Sequence, residues 1–456
     1  MALVDFMGFR VIAMSVLPID QSTLVYGSDD GGMSVRNLDP EVNEVMKDAG
    51  RLLNLRPHYV GSWSQRKWLS SAGDIEGHRG KDGRLYFVDF SRTFPPTTPE
   101  PAIQGSHLFM LFRPEFIKTY PRPLCPDAFT GFIRSDKKRN EYNQHVMEAT
   151  VYLKTIVIPS FVCTLKQLFV EKKMAVADFH AHIEEEFHKV GINMRYLGVC
   201  LSYSSGVEAL EKVFLIEAVA RVNKNILKLR LRQKMKDIRD TVMLAPYREL
   251  VVDFMNLIFR EDDWPACDTF WSTSVVECLQ TFFNVEVCPK NLRQDMVGFQ
   301  ANYVGAKELP RLTLFKRLVQ LTNLDFVSTI ERRLRRRQPL GRAPFDITNF
   351  IRFGTTVKHT ADVTNAEGSF FFMKAFEFLK CLQLAESYEM LQVARQKYEQ
   401  LLIRSPHNKD ALLQLARTHR RSLETKAVLH LCSPGGTGSM LQTHMSPKEI
   451  EVSEPF

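Results

Sequence analysis

The sequence predicts an α+β domain over residues 1–135, followed by an all-α region that ends in helical hairpins. Two observations support this division. The first 130 residues alternate short β-branched and aromatic runs with turn signals, which is typical of strands. From about Lys138 onward, apolar residues recur at helical spacing over long stretches. A chain of 456 residues also exceeds the size of one hydrophobic core, so we expect more than one domain.

Composition narrows the class of protein. Hydrophobic residues make up 45% of the chain, which is ordinary for a globular protein with a packed interior. Lys and Arg number 60 against 52 Asp and Glu, and this excess matters only where the cations cluster. Eight Cys without a CxxC pair fit neither a zinc site nor a disulfide framework. No segment resembles a targeting signal or an apolar span of about 20 residues, so we expect a cytoplasmic protein without membrane insertion.

Local signals place the elements of the N-terminal domain. Asp39 and Pro40 predict the start of a helix, because Asp accepts hydrogen bonds from free amides and Pro at the first position sacrifices none. Asp82-Gly83 predicts a two-residue hairpin turn, since both residues tolerate a positive φ. The predicted strands are Gly8–Leu17, Thr23–Tyr26, Asp74–Arg79, Arg84–Phe90 and His107–Phe112.

The rest of the chain divides by its periodicity. Residues 136–360 form a helical region, and residues 371–421 form a further set of helices. Residues 422–456 contain Gly, Ser and Pro without periodicity, so we predict a disordered tail. The predicted helices are Glu208–Arg239, Tyr247–Phe259, Asp268–Phe283, Leu312–Arg337 and the segment Lys374–Arg421.

Three blocks of sequence resemble the clustered-mitochondria (Clu) family in content and order. The first is GFRVIAMSVLP at residues 8–18, followed by LVYGS at residues 24–28. The second is IEGHRGKDGRLYFVDFSRTFPP at residues 75–96. The third, HKVGINMRYLG at residues 188–198, is similar to the helical region that follows the Clu domain. The resemblance extends over roughly residues 1–360.

The end of the chain resembles a tetratricopeptide repeat, a helix-turn-helix unit of about 34 residues. Leu412, Leu415 and Ala416 restart the pattern, so about one and a half units are present. We expect this short array to pack on the preceding helices, or the chain to be a truncated product, because a lone unit cannot bury its faces. Counted from Ala375, the matching positions are Phe378, Leu382, Ala385, Ala394, Tyr398, Leu401 and Pro406.

The resemblance implies a binding function rather than catalysis. It implies a cytosolic scaffold that affects the distribution of mitochondria and associates with messenger RNAs for mitochondrial proteins. Protein partners through the helical repeats and a peripheral association with mitochondria follow from it, and no cofactor does. The chain begins close to the first block, so we expect it to lack the ubiquitin-like domain that many relatives carry. We therefore predict that the protein is not an enzyme.

A nucleotide-binding alternative, either a kinase-like enzyme or a pseudoenzyme, depends on the predicted hairpin. Asp89 ends a strand after the loop HRGKDGR, which looks like the region where kinase-type folds hold Mg²⁺ with a carboxylate. Such a site also needs a strand Lys and a Gly-rich cover, and residues 27–32 (GSDDGG) make a poor cover. The simpler interpretation is an Arg–Asp network that braces the hairpin. The residues that remain structural or nucleotide-binding candidates are Asp82, Arg84, Asp89 and Arg92.

A possible metal stripe is formed by His180, Glu184 and His188, which lie at i, i+4 and i+8 of one predicted helix. Two imidazoles and a carboxylate on one face could bind a metal only with a fourth ligand and a supporting shell. We favour a solvated face with a local ion pair, and we predict no metal.

Two basic runs are candidates for contact with RNA phosphates. The first, on a predicted helix, contains Arg332, Arg333, Arg335, Arg336 and Arg337. The second, within residues 221–239, includes Arg221, Lys224, Lys228 and Arg232. A run of charge is often only a solvated face, but five neighbouring arginines repel one another unless an anion relieves them. Neither run contains an aromatic residue for base stacking, so we predict phosphate contact by the first run and a broader positive field from the second.

Overall fold

The structure of the chain is a computed structural model. Contacts divide it into a larger unit, Phe6–Phe9 with Val16–Gly354, and a smaller unit, Met1–Asp5 with Arg10–Ser15 and Thr355–Phe456. The residues that the structure describes are 2–6, 9–14, 16–238, 244–262, 264–286, 288–298, 310–336, 338, 343–354, 356–358, 372, 375, 384–404 and 409–432.

In chain order, the strands of the described residues are β1 (Ala2–Phe6), β2 (Phe9–Ala13), β3 (Leu24–Gly27), β4 (Arg36–Asn37), β5 (His58–Val60), β6 (Lys67–Leu69), β7 (Glu76–Arg79), β8 (Leu85–Val88), β9 (Leu324–Phe326), β10 (Phe350–Phe353) and β11 (Thr356–Lys358). The helices are α1 (Pro40–Leu52), α2 (Pro114–Thr119), α3 (Arg139–Tyr152), α4 (Ile158–Val170), α5 (Val176–Lys189), α6 (Leu197–Tyr203), α7 (Glu208–Ile238), α8 (Ala245–Phe259), α9 (Pro265–Thr269), α10 (Val276–Phe283), α11 (Leu292–Val297), α12 (Pro310–Thr322), α13 (Ser328–Arg335), α14 (Leu384–Arg404) and α15 (Lys409–Cys432). Strands are concentrated near the N-terminus and helices follow, so the predicted fold class is confirmed.

The N-terminal part of the larger unit contains a four-stranded antiparallel sheet in the order β4-β3-β7-β8. A small separate core around Tyr26 supports this sheet and helix α1. Asp39 caps α1 as predicted, because its carboxylate accepts hydrogen bonds from the amides of Glu41 and Val42. Arg79 of β7 donates to the same carboxylate over 2.7 Å, so the cap also ties the helix to the sheet.

The β7–β8 hairpin forms where the sequence predicts it, but its turn is longer. The Gly80 amide donates to the Arg84 carbonyl over 2.8 Å, which leaves Lys81–Gly83 as a three-residue loop. Gly83 has a φ of +79°, a left-handed conformation that Gly adopts without strain at the end of such loops. The predicted two-residue turn is therefore one residue too short.

The predicted strand His107–Phe112 is wrong. Ser106–Leu108 forms a 3₁₀ turn, and Leu111 makes an isolated antiparallel bridge to Pro96. Phe112 is buried and its ring stacks on Phe116 of α2 with 4.8 Å between the centroids. The apolar character of this segment thus reflects packing on the core, which a strand pattern cannot distinguish from sheet pairing.

Helix α7, with 31 residues, lies at the centre of the larger unit. It packs against α4, α5, α6, α8, α10 and α12. Every residue from Val213 to Ala220 is buried. A helix enclosed on all sides carries apolar residues around its whole circumference, and Glu217 is the exception within this stretch.

Buried Glu217 is contacted by two arginines and a histidine from three helices. Arg317 of α12 donates to both carboxylate oxygens, over 2.6 and 2.8 Å, and Arg221 of α7 donates over 2.6 Å. The Nε2 atom of His180, on α5, lies 3.4 Å away. Burial alone would raise the pKa of Glu217, but hydrogen bonds from His180 and Arg317 and the charge of Arg221 hold it well below its ordinary value.

One helix of the described residues is long and apolar enough to cross a membrane by length and composition. It runs from Arg139 to Val170, because the π-helical turn Leu153–Val157 joins α3 to α4 without a break. This length corrects the expectation that no apolar stretch reaches the required size. Its buried residues, including Val146 and Val162, belong to the main hydrophobic core of the larger unit.

Of the predicted helices, three agree with the structure, one does not, and the segment Lys374–Arg421 lies partly outside the described residues. Helices α7 and α8 form where predicted, and a π-helical turn, Phe270–Val275, joins α9 to α10 across the third predicted helix. The predicted helix Leu312–Arg337 is wrong, because Asn323 adopts a left-handed φ of +54° that ends α12. Strand β9 follows and pairs with β10, and only then does α13 begin.

The smaller unit holds the three-stranded sheet β11-β1-β2 and the helices α14 and α15. The two helices pack together, and the side chain of Gln392 donates to the Ser422 hydroxyl over 2.6 Å. Helix α14 runs unbroken from residue 384 to residue 404, whereas the repeat counted from Ala375 requires a turn near its middle. Helix α15 continues to Cys432, so the start of the predicted disordered tail is helical, and residues 433–456 lie outside the described residues.

Replacing Glu217 by Gln should lower the free energy of unfolding by about 3 kcal/mol or more, because two buried guanidinium groups lose their carboxylate. Thermal and urea unfolding of the full chain measure this loss. Because the folded-state pKa is depressed, the stabilisation should be fully present above the unfolded value of about 4.3 and be lost as the pH falls through the folded pKa.

The matched control for this prediction is Glu184→Gln. Glu184 interacts with the same two arginines, at 3.0 Å from Arg221 and 3.9 Å from Arg317, but its side chain is 44% exposed. Solvent screens such an ion pair, so the control substitution should lower the free energy of unfolding by less than about 1 kcal/mol. Equal losses in the two variants would contradict the central role of Glu217.

Candidate functional site

The predicted arginine run lies at the C-terminal end of α13. Ile330 and Leu334 are buried and anchor the helix, while Arg332 and Arg336 are exposed. Arg335 is also exposed and pairs with Glu331 one turn earlier, over 2.7 Å. Cations at a helix C-terminus interact favourably with the helix dipole, which reduces the repulsion expected within the run. Arg333 is half-buried, and Arg337 lies outside the described residues.

The second basic run, on α7, is divided between the interior and the surface. Arg221 binds Glu217 and Glu184, so it could reach a phosphate only by leaving two carboxylates. Lys224 is half-buried, and burial together with the charges of Arg221 and Lys228 lowers its pKa to about 8. Among the predicted contacts on this helix, Lys228 is half-buried and Arg232 is exposed. Arg221 is thus occupied by two carboxylates, Arg232 is the exposed cation among these four, and phosphate contact by this run stays a prediction.

The His180, Glu184 and His188 stripe lies on α5, which packs against α7; His180 is buried, and Glu184 and His188 are half-buried. His180 is buried beside Glu217, and Glu184 is paired with Arg221. The predicted solvated face is therefore wrong for His180, whereas Glu184, 44% exposed, pairs with an arginine of another helix rather than within its own. Arginines next to both carboxylates would repel a metal cation. Within the described residues, no group of three or more His, Cys, Asp and Glu side chains is arranged to hold a metal.

The four hairpin candidates do not come together. Asp82 accepts a hydrogen bond from the Tyr86 hydroxyl over 2.7 Å, and Arg84 is 80% exposed and 3.9 Å from Asp82. Asp89 is exposed, adopts a φ of +57°, and accepts a hydrogen bond from the Ser91 hydroxyl. The expectation that Asp89 braces an arginine is wrong, because Arg92 turns into the interior.

Arg92 takes part in a buried polar cluster centred on Asp127, which we call the Asp127 hub. Its guanidinium donates to Asp74 over 2.7 Å and lies 3.4 Å from Asp127. The other oxygen of Asp127 accepts from the Gly73 amide over 2.8 Å and lies 2.9 Å from Nε2 of His58. The hub thus connects β5, the loop before β7, the segment after β8, and the loop that carries Asp127.

The ionisation of the hub follows from its burial and its pairing. Burial disfavours a charged imidazole, but Cys125 and Asp127 beside the ring raise the pKa of His58 well above its ordinary value. His58 and Asp127 are both fully buried, so no substrate reaches them without a change of structure. Burial also raises the pKa of Asp74, although Arg92 works against the shift. The hub is therefore a structural element of the fold.

Sequence reasoning missed His58, Asp74 and Asp127. His58 and Asp127 are 69 positions apart, and neither lies in a recognisable motif. The available signal was the group of three prolines just before Asp127, at positions 121, 123 and 126, which marks a loop but does not identify the partner of Asp127. Two open concavities of about 510 and 450 Å³, lined in part by Gly198 and Trp271, contain none of the hub or hairpin candidates.

Two protein-family models match separate parts of the chain. Residues 1–99 match the model described as Clustered mitochondria, which confirms the resemblance inferred from the first two sequence blocks. Residues 177–281 match the model described as Translation initiation factor eIF3 subunit 135. This second match covers α6 to α9 and contains the third block, at residues 188–198.

Curated relatives match the same N-terminal part. Protein clueless of Drosophila persimilis is 36% identical over 99 residues, and the Clustered mitochondria protein homolog of Anopheles gambiae is 39% identical over 100 residues. The homolog of Aedes aegypti is 35% identical over 99 residues. Each alignment covers 20% of this chain and 7% of the relative. No solved structure matches the chain.

Replacing Asp127 by Asn should destabilise the protein by about 3 kcal/mol or more, because Arg92 and a charged His58 would lose a fully buried carboxylate. Thermal unfolding of the full chain measures the effect. Asp89→Asn is the matched control, since Asp89 is exposed and Asn tolerates its left-handed backbone. The free energy of unfolding of the control should lie within about 0.5 kcal/mol of the parent value. A larger loss for the control than for Asp127→Asn would refute the hub.

Proposed function

We propose that this chain is a cytosolic RNA-associated scaffold that affects the distribution and biogenesis of mitochondria. The observation that carries the proposal is the order of the two family matches. A clustered-mitochondria match over residues 1–99 is followed, in one chain, by a match to a translation initiation factor subunit over residues 177–281. A protein that combines the two would meet messenger RNA during translation and influence mitochondria through it.

The relatives' names support only the first half of this proposal. They refer to clustered mitochondria, and the matched segment is a small part of those proteins. Neither family description names an enzyme, and the hairpin candidates for a nucleotide site are dispersed. We therefore favour a binding role over catalysis.

Exposed arginines on α13 would supply phosphate contacts. Arg332 and Arg336 are exposed and have no salt bridge to another described residue. Their positions four residues apart place them on one face of the helix or its end, next to Arg335. A guanidinium binds phosphate in two-pronged geometry and releases condensed counterions when it does so.

A second candidate function is docking of protein partners on α14 and α15. Four large apolar side chains of these two helices are exposed to solvent, and a group of exposed apolar residues is typical of an interaction surface. They are Ile403, Leu412, Leu413 and Leu423. A partner helix that covered them would bury apolar surface without any nucleic acid, and peptide binding in the absence of RNA would favour this function.

Ultraviolet crosslinking in cells should recover RNA with the parent chain and less RNA with an Arg332→Gln/Arg336→Gln variant. With purified protein, the variant should bind many RNA sequences more weakly and flatten the log–log salt slope by about 1.4, at about 0.7 per phosphate lost. Lys173→Gln/Lys189→Gln is the matched control, because it removes the same charge from exposed lysines that are paired with Glu171 and Glu186.

The outcomes separate the parts of this proposal. An unchanged salt slope in the arginine variant would mean that the arginines of α13 form only a solvated surface and do not contact phosphate. Loss of binding to one sequence alone would mean that the arginines read bases rather than phosphates. Absence of crosslinked RNA from the parent chain would refute the association with RNA.

Cell fractionation should place the protein in the cytosol, with at most a peripheral fraction on mitochondria. Protease added to intact mitochondria should digest that fraction, and high salt should release it, because the proposed association is electrostatic or through partners. Protein that resisted both treatments and was released only by detergent would contradict the cytosolic assignment. The apolar helix Arg139–Val170 would then be the first segment to examine as an anchor.

A further inference from the structure

The β5–β6 hairpin presents one face to the core and the other to solvent. Its antiparallel register pairs His58 with Leu69, Tyr59 with Trp68, and Val60 with Lys67. His58, Val60 and Leu69 are fully buried. Since side chains alternate along a strand, Tyr59 and Trp68 form a cross-strand pair on the outer face.

An aromatic cluster covers this outer face. The rings of Tyr59 and Trp68 meet edge to face with 4.8 Å between centroids, and the guanidinium of Arg66 lies 4.6 Å from the Tyr59 ring. The same guanidinium is 5.6 Å from the ring of Trp63, in the turn. Trp63 remains 66% exposed, Trp68 48% and Tyr59 38%. Exposed aromatic residues grouped with arginine are typical of binding surfaces rather than of ordinary protein exterior.

A basic loop is fastened beside the cluster. The Gly61 amide donates to the Phe132 carbonyl over 2.9 Å, and Arg66 donates to the Ser135 carbonyl over 3.3 Å. The Tyr59 amide donates to the Asp136 carboxylate over 2.9 Å. The hydroxyl of Ser135 also donates to the carbonyl of Gly61. These bonds fasten Phe132, Ser135 and Asp136 to the hairpin, and the basic residues at 134 and 137–139 flank this segment in the sequence.

The charge of the combined surface is strongly positive. Its cations are Arg66, Lys67, Arg134, Lys137, Lys138 and Arg139. All of them except half-buried Arg66 are exposed. The acid within the loop, Asp136, is buried and accepts hydrogen bonds from the amides of Tyr59 and Lys138. The next acid along the chain, Glu141, lies in the first turn of α3.

We propose that this surface, hereafter the hairpin platform, binds single-stranded RNA. Bases stack on Trp63 and on the Tyr59–Trp68 pair, while Lys137, Lys138 and Arg139 contact the phosphates. The inference rests on the proposed association with RNA and assigns it a site and a strand form. It also supplies the stacking residues that the arginine runs lack.

The chemistry of the platform favours unpaired nucleotides over a duplex. The base faces of a double helix are covered by their neighbours, so exposed tryptophans gain nothing from them, whereas splayed bases stack on aromatic rings and on guanidinium planes. A proline-rich peptide would use the aromatic rings but would leave the six cations without counter-charges. An anionic membrane would satisfy the cations, but inserting Trp63 would bring Arg66, 5.6 Å from its ring, into the apolar layer at a high cost.

The test uses the full chain and fluorescein-labelled 12-nucleotide RNAs: oligo(U), oligo(A) and a 12-base-pair duplex. The parent should bind both single strands more tightly than the duplex. Trp63→Ala should weaken single-strand binding about tenfold, since a stacked base contributes about 1–3 kcal/mol and 1.4 kcal/mol is tenfold. Trp63→Phe should restore much of the affinity because it retains a ring. Lys137→Gln/Lys138→Gln should flatten the salt slope by about 1.4.

The matched control is Trp264→Ala. Trp264 is 39% exposed and also carries an arginine, Arg260, at 4.3 Å from its ring. Arg260 is paired with Asp262, so the charge environment of Trp264 differs from that of Trp63. This variant should therefore bind RNA like the parent. Because Trp63 is exposed in a turn, its substitution should leave the melting temperature unchanged, and this separates loss of a contact from loss of the fold.

Each remaining outcome overturns the proposal in a distinguishable way. If the parent binds single strands but Trp63→Ala binds equally well, the platform is refuted while the association with RNA stands. If the parent binds no RNA, both proposals fail. Binding of the parent to phosphatidylserine vesicles that depends on Trp63, without RNA binding, would make the platform a membrane contact. Equal losses in Trp63→Ala and Trp264→Ala would exclude a specific role for the hairpin.

Discussion

The buried carboxylate of Glu217 constrains the packing of the larger unit more than any other polar group described above. A carboxylate without exposure is costly unless cations and hydrogen bonds surround it. Here they come from α5, α7 and α12, and Arg317 lies 100 positions away from Glu217. Since the Arg317 guanidinium and the Glu217 carboxylate meet over 2.6 and 2.8 Å, α12 has little freedom to slide against α7.

Asp127 has the same role in the N-terminal part of the unit. Its carboxylate organises His58, Arg92 and the Gly73 amide, which come from separate segments. In both networks an arginine that looks in sequence like a ligand-binding residue is used internally. Arg92 and Arg221 are therefore removed from the candidate site by the same physical requirement, namely that a buried carboxylate be paired. Cations without such a requirement, on α13 and in the loop 134–139, stay at the surface.

The sequence predicts those features whose cause is local. The cap of α1 by Asp39 and the site of the β7–β8 hairpin each depend on a few neighbouring residues. The end of α12 at Asn323 also has a local cause, which the helical periodicity on both sides of it concealed. The bridge at Leu111 and the inward turn of Arg92 depend on tertiary packing, so local patterns misjudged both. The hairpin platform was missed for a related reason. The basic residues at 134–139 are distant in sequence from Trp63 and Trp68, and only the fold brings the aromatic and basic residues to one surface.

The proposed platform extends beyond the segment that matches the clustered-mitochondria model. Its aromatic half lies within residues 1–99, which match the clustered-mitochondria model, but its basic loop at residues 134–139 lies beyond that match. Asp136, in the loop, accepts the Tyr59 amide, and Asp127, shortly before it, holds His58 on the same hairpin. Two carboxylates therefore fasten the charged half to the stacking half. A segment limited to residues 1–99 would keep Trp63 and Trp68 but lose the buried partner of His58 and most of the positive charge. The proposed surface is thus larger than the family match, and the buried acids that stabilise the fold also hold its two halves together.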